Sequence, residues 1–229
     1  MQRSIVYWIT AKYRAEMAQD ANPSNELQVE TSRLRKQWES KFDDGAQKLA
    51  GWFAQKTKSY SDGTLTMILK EAGFAIEFKM TDAMQTAYSA VINQNVTLIK
   101  SIASHHLDEV EGLVMRSVQA GGDMSMLSKE LVARYGVTKR RAAFIARDQN
   151  NKAVATFTRT RQIDIGMTSA VWKHSHAGKV PRPSHLKADG VLYDIRKGMY
   201  LDGKWVLPGE EPNCGCFSRS SLGDMNAYT

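Results

Sequence analysis

Residues 139–194 read KRRAAFIARDQNNKAVATFTRTRQIDIGMTSAVWKHSHAGKVPRPSHLKADGVLYD, and the character of the chain changes within them, at Gly166. Upstream, Ala142, Ile145, Ala146, Ala153 and Phe157 recur at helical spacing, with Thr138 placed to cap a helix over about 139–163 and Gly166 to close it. These inward positions are mostly small, so a neighbouring backbone can approach closely. Downstream the helical period is lost and glycines and prolines thicken, with Pro181, Pro183, Pro208 and Pro212 in a short span. The β-branched and aromatic runs 168–172, 191–194 and 204–207 predict short strands, and Asp202-Gly203 a hairpin turn before the last. The expectation is an α+β protein: a long-helix N-terminal body followed by a small C-terminal β-rich module.

Working toward the N-terminus, the strongest periodic signal lies over 81–119. There Ile92, Val96, Ile99, Ala103, Leu107, Val110, Val114 and Val118 follow at steps of three or four, predicting a long helix ended by Gly121-Gly122. Asp123 can cap a further helix through Met126, Leu127 and Leu131 that stops at Gly136. At the start of the chain a helix over 3–19 is expected to break in the Ala-Asn-Pro-Ser-Asn run at 21–25. A second helix from Glu26 carries the stripe Leu27, Leu34, Trp38, Phe42, Leu49 and Phe53. Asp43-Asp44-Gly45 interrupts it, Ser61-Asp62-Gly63 signals a turn, and a short segment, 65–72, ends at Gly73. The expected division is a helical region 1–80, a long-helix body 81–166 with a basic C-terminal half, an α+β module 167–219 and a polar tail 220–229. Trp172 and Trp205 are expected in the core of the module.

The 229 residues carry a formal charge of +7, unevenly spread. Between Leu131 and Gly190 twelve lysines and arginines face three aspartates, a local excess of nine. Such a stretch attracts polyanions through counterion release, so Arg140, Arg141, Arg147, Arg159 and Arg161 are candidates for contact with nucleic acid, through phosphate rather than base edges. The plainer alternative is a solvated helix face meeting an acidic protein. No run reaches the roughly 20 apolar residues of a membrane span, and the start lacks the apolar segment of a signal peptide, which predicts a cytoplasmic setting and no membrane partner.

The module gathers His174, His176, His185, Cys214 and Cys216, the residue types zinc prefers. One residue separates the two cysteines, so a disulfide between them would be strained, which leaves free thiols or metal ligands. A structural zinc held by Cys214, Cys216 and His185, with His174 or His176 as fourth ligand, would staple a module too small to bury much apolar surface. The alternative is a set of satisfied polar side chains in loops. Arg182 and His185 could likewise bind phosphate or metal, or belong to a structural turn in which Pro181 and Pro183 fix the backbone and Arg182 bridges to a carboxylate.

The series Trp172, Gly178-Lys179, Arg182-Pro183-Ser184-His185, Gly190, Pro208-Gly209 and Cys214-Gly215-Cys216 resembles the C-terminal domain of the phage Mu F-like minor head proteins. The run 141–152 and the stretch 95–102 are similar to helices preceding that domain, so the resemblance covers roughly 84–219. It departs at Gly215, where the family more often carries a basic residue. The resemblance implies a non-enzymatic minor head protein of a tailed phage, in the capsid interior or at the portal vertex of the virion and in the host cytoplasm during assembly. It also implies the portal as a partner, with the major capsid protein and double-stranded DNA as further ones, and a part in packaging or ejection. Two other readings compete. One is a metal-dependent hydrolase or nuclease using the His/Cys cluster with Asp189 or Asp194 as base, although Asp-Gly is more often a turn. The other is a sequence-independent DNA-binding protein.

Overall fold

The computed structural model describes residues 1–17, 24–119, 124–176 and 180–221. Four helices, α1 (Gln2–Met17), α2 (Ser24–Glu71), α3 (Asp82–Gln119) and α4 (Met124–Asp164), precede β1 (Ser169–Lys173), α5 (Pro183–Ala188), β2 (Leu192–Asp194), β3 (Met199–Leu201), β4 (Lys204–Val206) and β5 (Phe217–Ser220). The α+β class follows directly. The expected break at 21–25, the Gly121-Gly122 stop with its Asp123 cap, and most of the 220–229 tail fall wholly or largely outside the described residues.

Three expected interruptions do not occur. α2 runs unbroken through Gly45 and Gly63, and α4 through Gly136. A helical glycine costs about 1 kcal/mol relative to alanine, whereas each large side chain buried further along returns about 1.5–3 kcal/mol. Past Gly45, Ala46, Ala50 and Ala54 are buried at four-residue spacing, and past Gly63 so are Leu65 and Leu69. Thr138 therefore caps nothing; its hydroxyl lies inside α4, 3.2 Å from the Arg134 carbonyl and 2.8 Å from His106 Nδ1. The end at Gly166 is real. With φ +84° at Gly166, the Met167 N–H reaches the Gln162 carbonyl at 2.9 Å and the Gly166 N–H reaches Ile163 at 3.0 Å, which closes the helix.

The chain forms two compact units, and neither is a single stretch: residues 1–49 with 95–145, and residues 50–94 with 146–229. The expected divisions at 80 and 166 are sequential, while these units interleave because α2, α3 and α4 each contribute to both. The first unit buries Ile5, Ile9 and Tyr13 of α1, Leu27 and Leu34 of α2, Leu107, Val110, Leu113 and Val114 of α3, and Leu127 and Leu131 of α4. The periodic stripe read along 81–119 supplies Leu107, Val110 and Val114 to this core.

The second unit contains the module. β1 lies between β2 and β5, antiparallel to both, with Ala170 opposite Tyr193 and Ser220, and β3 pairs with β4 as a hairpin turning at Asp202-Gly203. Its core joins Met167, Ala170, Trp172, Tyr193, Ile195 and Val206 to Leu65 and Leu69 of α2, with Phe74, Ile76 and Phe78 packed against them. Part of the expected N-terminal region is thus a wall of the module. Trp205 departs from expectation: 60% exposed, it stacks edge-on against Tyr200 on the outer face of the hairpin, while its neighbour Val206 turns inward. Two further corrections are β5, a strand at the end of the module outside the three expected strand runs, and α5, a helical turn in a stretch without helical period.

Candidate functional site

Helix α5 begins with Pro183 in its first turn, a position that needs no N–H donor, and ends at Asp189. One turn of helix suffices to aim His185 inward, where it is 2% exposed and meets the Trp172 ring edge-on at 5.3 Å. From the other side comes the loop after β4. Pro208 and Gly209 are buried, the Cys214 N–H bonds the Glu211 carbonyl at 3.1 Å, and Asn213 takes a positive φ of 57°. Helix α4 fastens this loop: Asp148 accepts the Asn213 N–H at 2.6 Å, and Asn151 Nδ2 donates to the Cys214 carbonyl at 3.3 Å.

The result is a buried cluster of two thiols and an imidazole. Cys214 Sγ and Cys216 Sγ each lie 3.5 Å from His185 Nδ1, and all three atoms fall within 4.8 Å of one another. The cysteines are free. The hydrogen bond from Cys216, with the backbone N–H groups of Cys216 and Gly209, holds the Cys214 thiol well below its ordinary value. Cys216, hydrogen-bonded to Cys214 and buried, is pushed up. Gly209 is required at its position. Its φ is +81°, and a Cβ there would stand 2.8 Å from Ala155 Cβ and 3.2 Å from the Cys216 carbonyl oxygen. At Gly215 the space a side chain would use is taken by Ser175, whose Oγ would lie 2.4 Å from an added Cβ.

Glu211, which the sequence did not single out, organises the surroundings. Its carboxylate is held by Lys204 and by Arg182 Nε at 3.2 Å, with His185 Nε2 also 3.2 Å away, and the Lys204 hydrogen bond foremost, with the charge of Arg182, keeps it below the ordinary carboxylate range. The His185 contact has the distance of an ion pair without the alignment of a hydrogen bond. Arg182 also donates to the Pro212 carbonyl at 3.0 Å, so it ties α5 to the cysteine loop, as a structural turn requires.

Other site residues go elsewhere. His174 does not join the cluster: its Nδ1 accepts the His176 N–H at 3.0 Å, and its own N–H donates to Asp189 Oδ1. Asp189 further pairs with Lys173 at 2.8 Å and with His176 at 3.2 Å, and is held far below the usual carboxylate range by these donors, Lys173 first. Asp194 caps the turn that follows it by accepting the Arg196 and Lys197 N–H groups. Both carboxylates considered as hydrolytic bases are therefore engaged away from the sulfurs. Among the basic candidates, Arg140, Arg141 and Arg147 are exposed and Arg159 is half-buried, but Arg161 is 1% exposed and pairs with Asp62. It leaves the candidate set because its charge is satisfied inside the unit.

A thiol–imidazole cluster in a small α+β module, walled by helices that precede it in the chain, defines the class. Residues 108–219, nearly half the chain, match the family described as phage Mu protein F like protein, and through that segment the protein is similar to the Mu F-like family. The match begins later than the resemblance read from residue 84 and ends within β5. A Haemophilus influenzae protein described as uncharacterized is 34% identical over 132 residues, which are 56% of this chain and 28% of that protein. The chain thus spans little more than a quarter of that relative's length. No solved structure matches. No helix among the described residues is long and apolar enough to cross a membrane.

Proposed function

We propose that this chain is a minor component of a tailed-phage head that joins the portal oligomer during procapsid assembly. The observation that carries the reading is the Mu F-like match over 108–219, which takes in the whole ordered series from Trp172 to the cysteine pair. The basic stretch supports a position beside packaged DNA, with Arg140, Arg141 and Arg147 free to meet phosphate. Role and fold are consistent: the module turns its titratable cluster inward, while aromatic side chains such as Tyr200 and Trp205 face outward, as a part that docks requires.

Co-expression with the cognate portal followed by sedimentation tests the proposal. Migration with the portal ring is expected, and migration as a separate species under all salt conditions contradicts it. Sequence-independent DNA binding is a second reading, favoured by the same exposed arginines. It predicts affinity that falls steeply with salt and does not distinguish sequences.

A further inference from the structure

We propose that His185 Nδ1, Cys214 Sγ and Cys216 Sγ bind one zinc ion as its three protein ligands, with a water molecule rather than His174 as the fourth. Zinc bonded to sulfur at about 2.3 Å and to nitrogen at about 2.0–2.1 Å in tetrahedral array places S and N about 3.5 Å apart. Both sulfur–nitrogen distances in the cluster are 3.5 Å. The three side chains are therefore already spaced for a common centre, and all three are buried, at 2–4% exposure.

The surroundings fit the same ion. A metal-bound histidine commonly offers its second nitrogen to a carboxylate, and His185 Nε2 faces Glu211 Oε2 at 3.2 Å while Nδ1 faces the sulfurs. His185 Nε2 is buried and makes no hydrogen bond. Ligation at Nδ1 fixes the proton on Nε2, so a small turn of the ring converts the ion-pair contact into a hydrogen bond. Among the described residues no fourth His, Cys, Asp or Glu atom lies within the cluster's radius, and the His174 ring accepts the His176 N–H. The ligands come from α5 and from the loop after β4, so the ion would fasten two segments that Arg182 and Glu211 already bridge on their outer side.

The test is elemental analysis of the full chain purified without chelator, followed by titration of the chelator-treated protein with zinc alone. About one equivalent is expected, with a fall in melting temperature on the order of 10 °C when it is removed. Cobalt substitution of the wild-type chain reads the ligand set without any variant, through thiolate charge-transfer absorption. Cys214→Ser and Cys216→Ser should each abolish that absorption, whereas His174→Ala should keep both metal and spectrum. Failure of the wild-type protein to take up zinc overturns the site, as does a cobalt spectrum without thiolate bands. Loss of metal from His174→Ala overturns the assignment of the fourth position.

Discussion

Arg161 lies in the most basic part of the sequence, yet its guanidinium is closed in by Asp62 at 2.8 and 3.1 Å, by the Lys79 carbonyl and by the face of Phe78. Removing one partner of such a pair leaves the other charge stranded, so Arg161→Met should cost about 3 kcal/mol in denaturant unfolding. Burial alone would raise the Asp62 pKa, but hydrogen bonds and charge from Arg161 and Lys58 outweigh it and hold the carboxyl below its ordinary value. Its contribution to stability is complete above the unfolded value near pH 4 and is lost as pH falls through the depressed one. His106 behaves differently. Burial, with the N-terminal ammonium adding to it, lowers its pKa, and the ring is held in place by Thr138 Oγ1, 2.8 Å from Nδ1, and Gln2 Oε1, 2.9 Å from Nε2. Stability tied to His106 is full above about pH 6.5 and declines as pH falls below it. Protection from amide exchange, measured against the intrinsic rate, in the unit formed by residues 1–49 and 95–145 should therefore weaken as pH falls below about 6.5, and His106→Gln should flatten that dependence. A response confined to pH below about 4 would leave His106 without this role.

At the scale of elements, the sequence was most legible where one local rule acts alone. Gly166 ends α4 because nothing beyond it continues the stripe, and the Asp202-Gly203 turn and the cores of β1, β2 and β4 follow from turn chemistry and composition. It misled where local and tertiary terms conflict. Gly45, Gly63 and Gly136 each look like stops, and each is overridden by apolar side chains beyond it, a balance no local window contains. β5 was hidden for a related reason: Phe217–Ser220 acquires its strand character from pairing with β1, and Gln162 reaches both Ser218 and Ser220. The continuity of α2 has a direct test. Gly45 and Gly63 have ordinary helical backbone and nothing within 4 Å of an added Cβ, so Gly45→Ala and Gly63→Ala should each stabilise the protein by about 0.5–1 kcal/mol. Destabilisation by either would mean that the helix turns there after all.

For the molecule as a whole, the candidate site was legible in its residue types and only half so in its geometry. Cys214, Cys216 and His185 meet as the zinc-like composition suggested, while the fourth expected ligand is held elsewhere and Glu211 was invisible because its role depends on α5 facing the loop. The charge pattern raises the same question of geometry. Reversing Arg140, Arg141 and Arg147 to glutamate changes the local balance by six charges and should weaken DNA binding by at least tenfold at low salt, with a shallower salt dependence. Unchanged affinity would place any DNA contact outside this stretch. The account rests above all on a portal-side place in the head, and the copy number of this chain in isolated particles measures that most directly. Copies in step with the portal subunits, a handful per particle, are predicted; hundreds, in step with the coat, would contradict it.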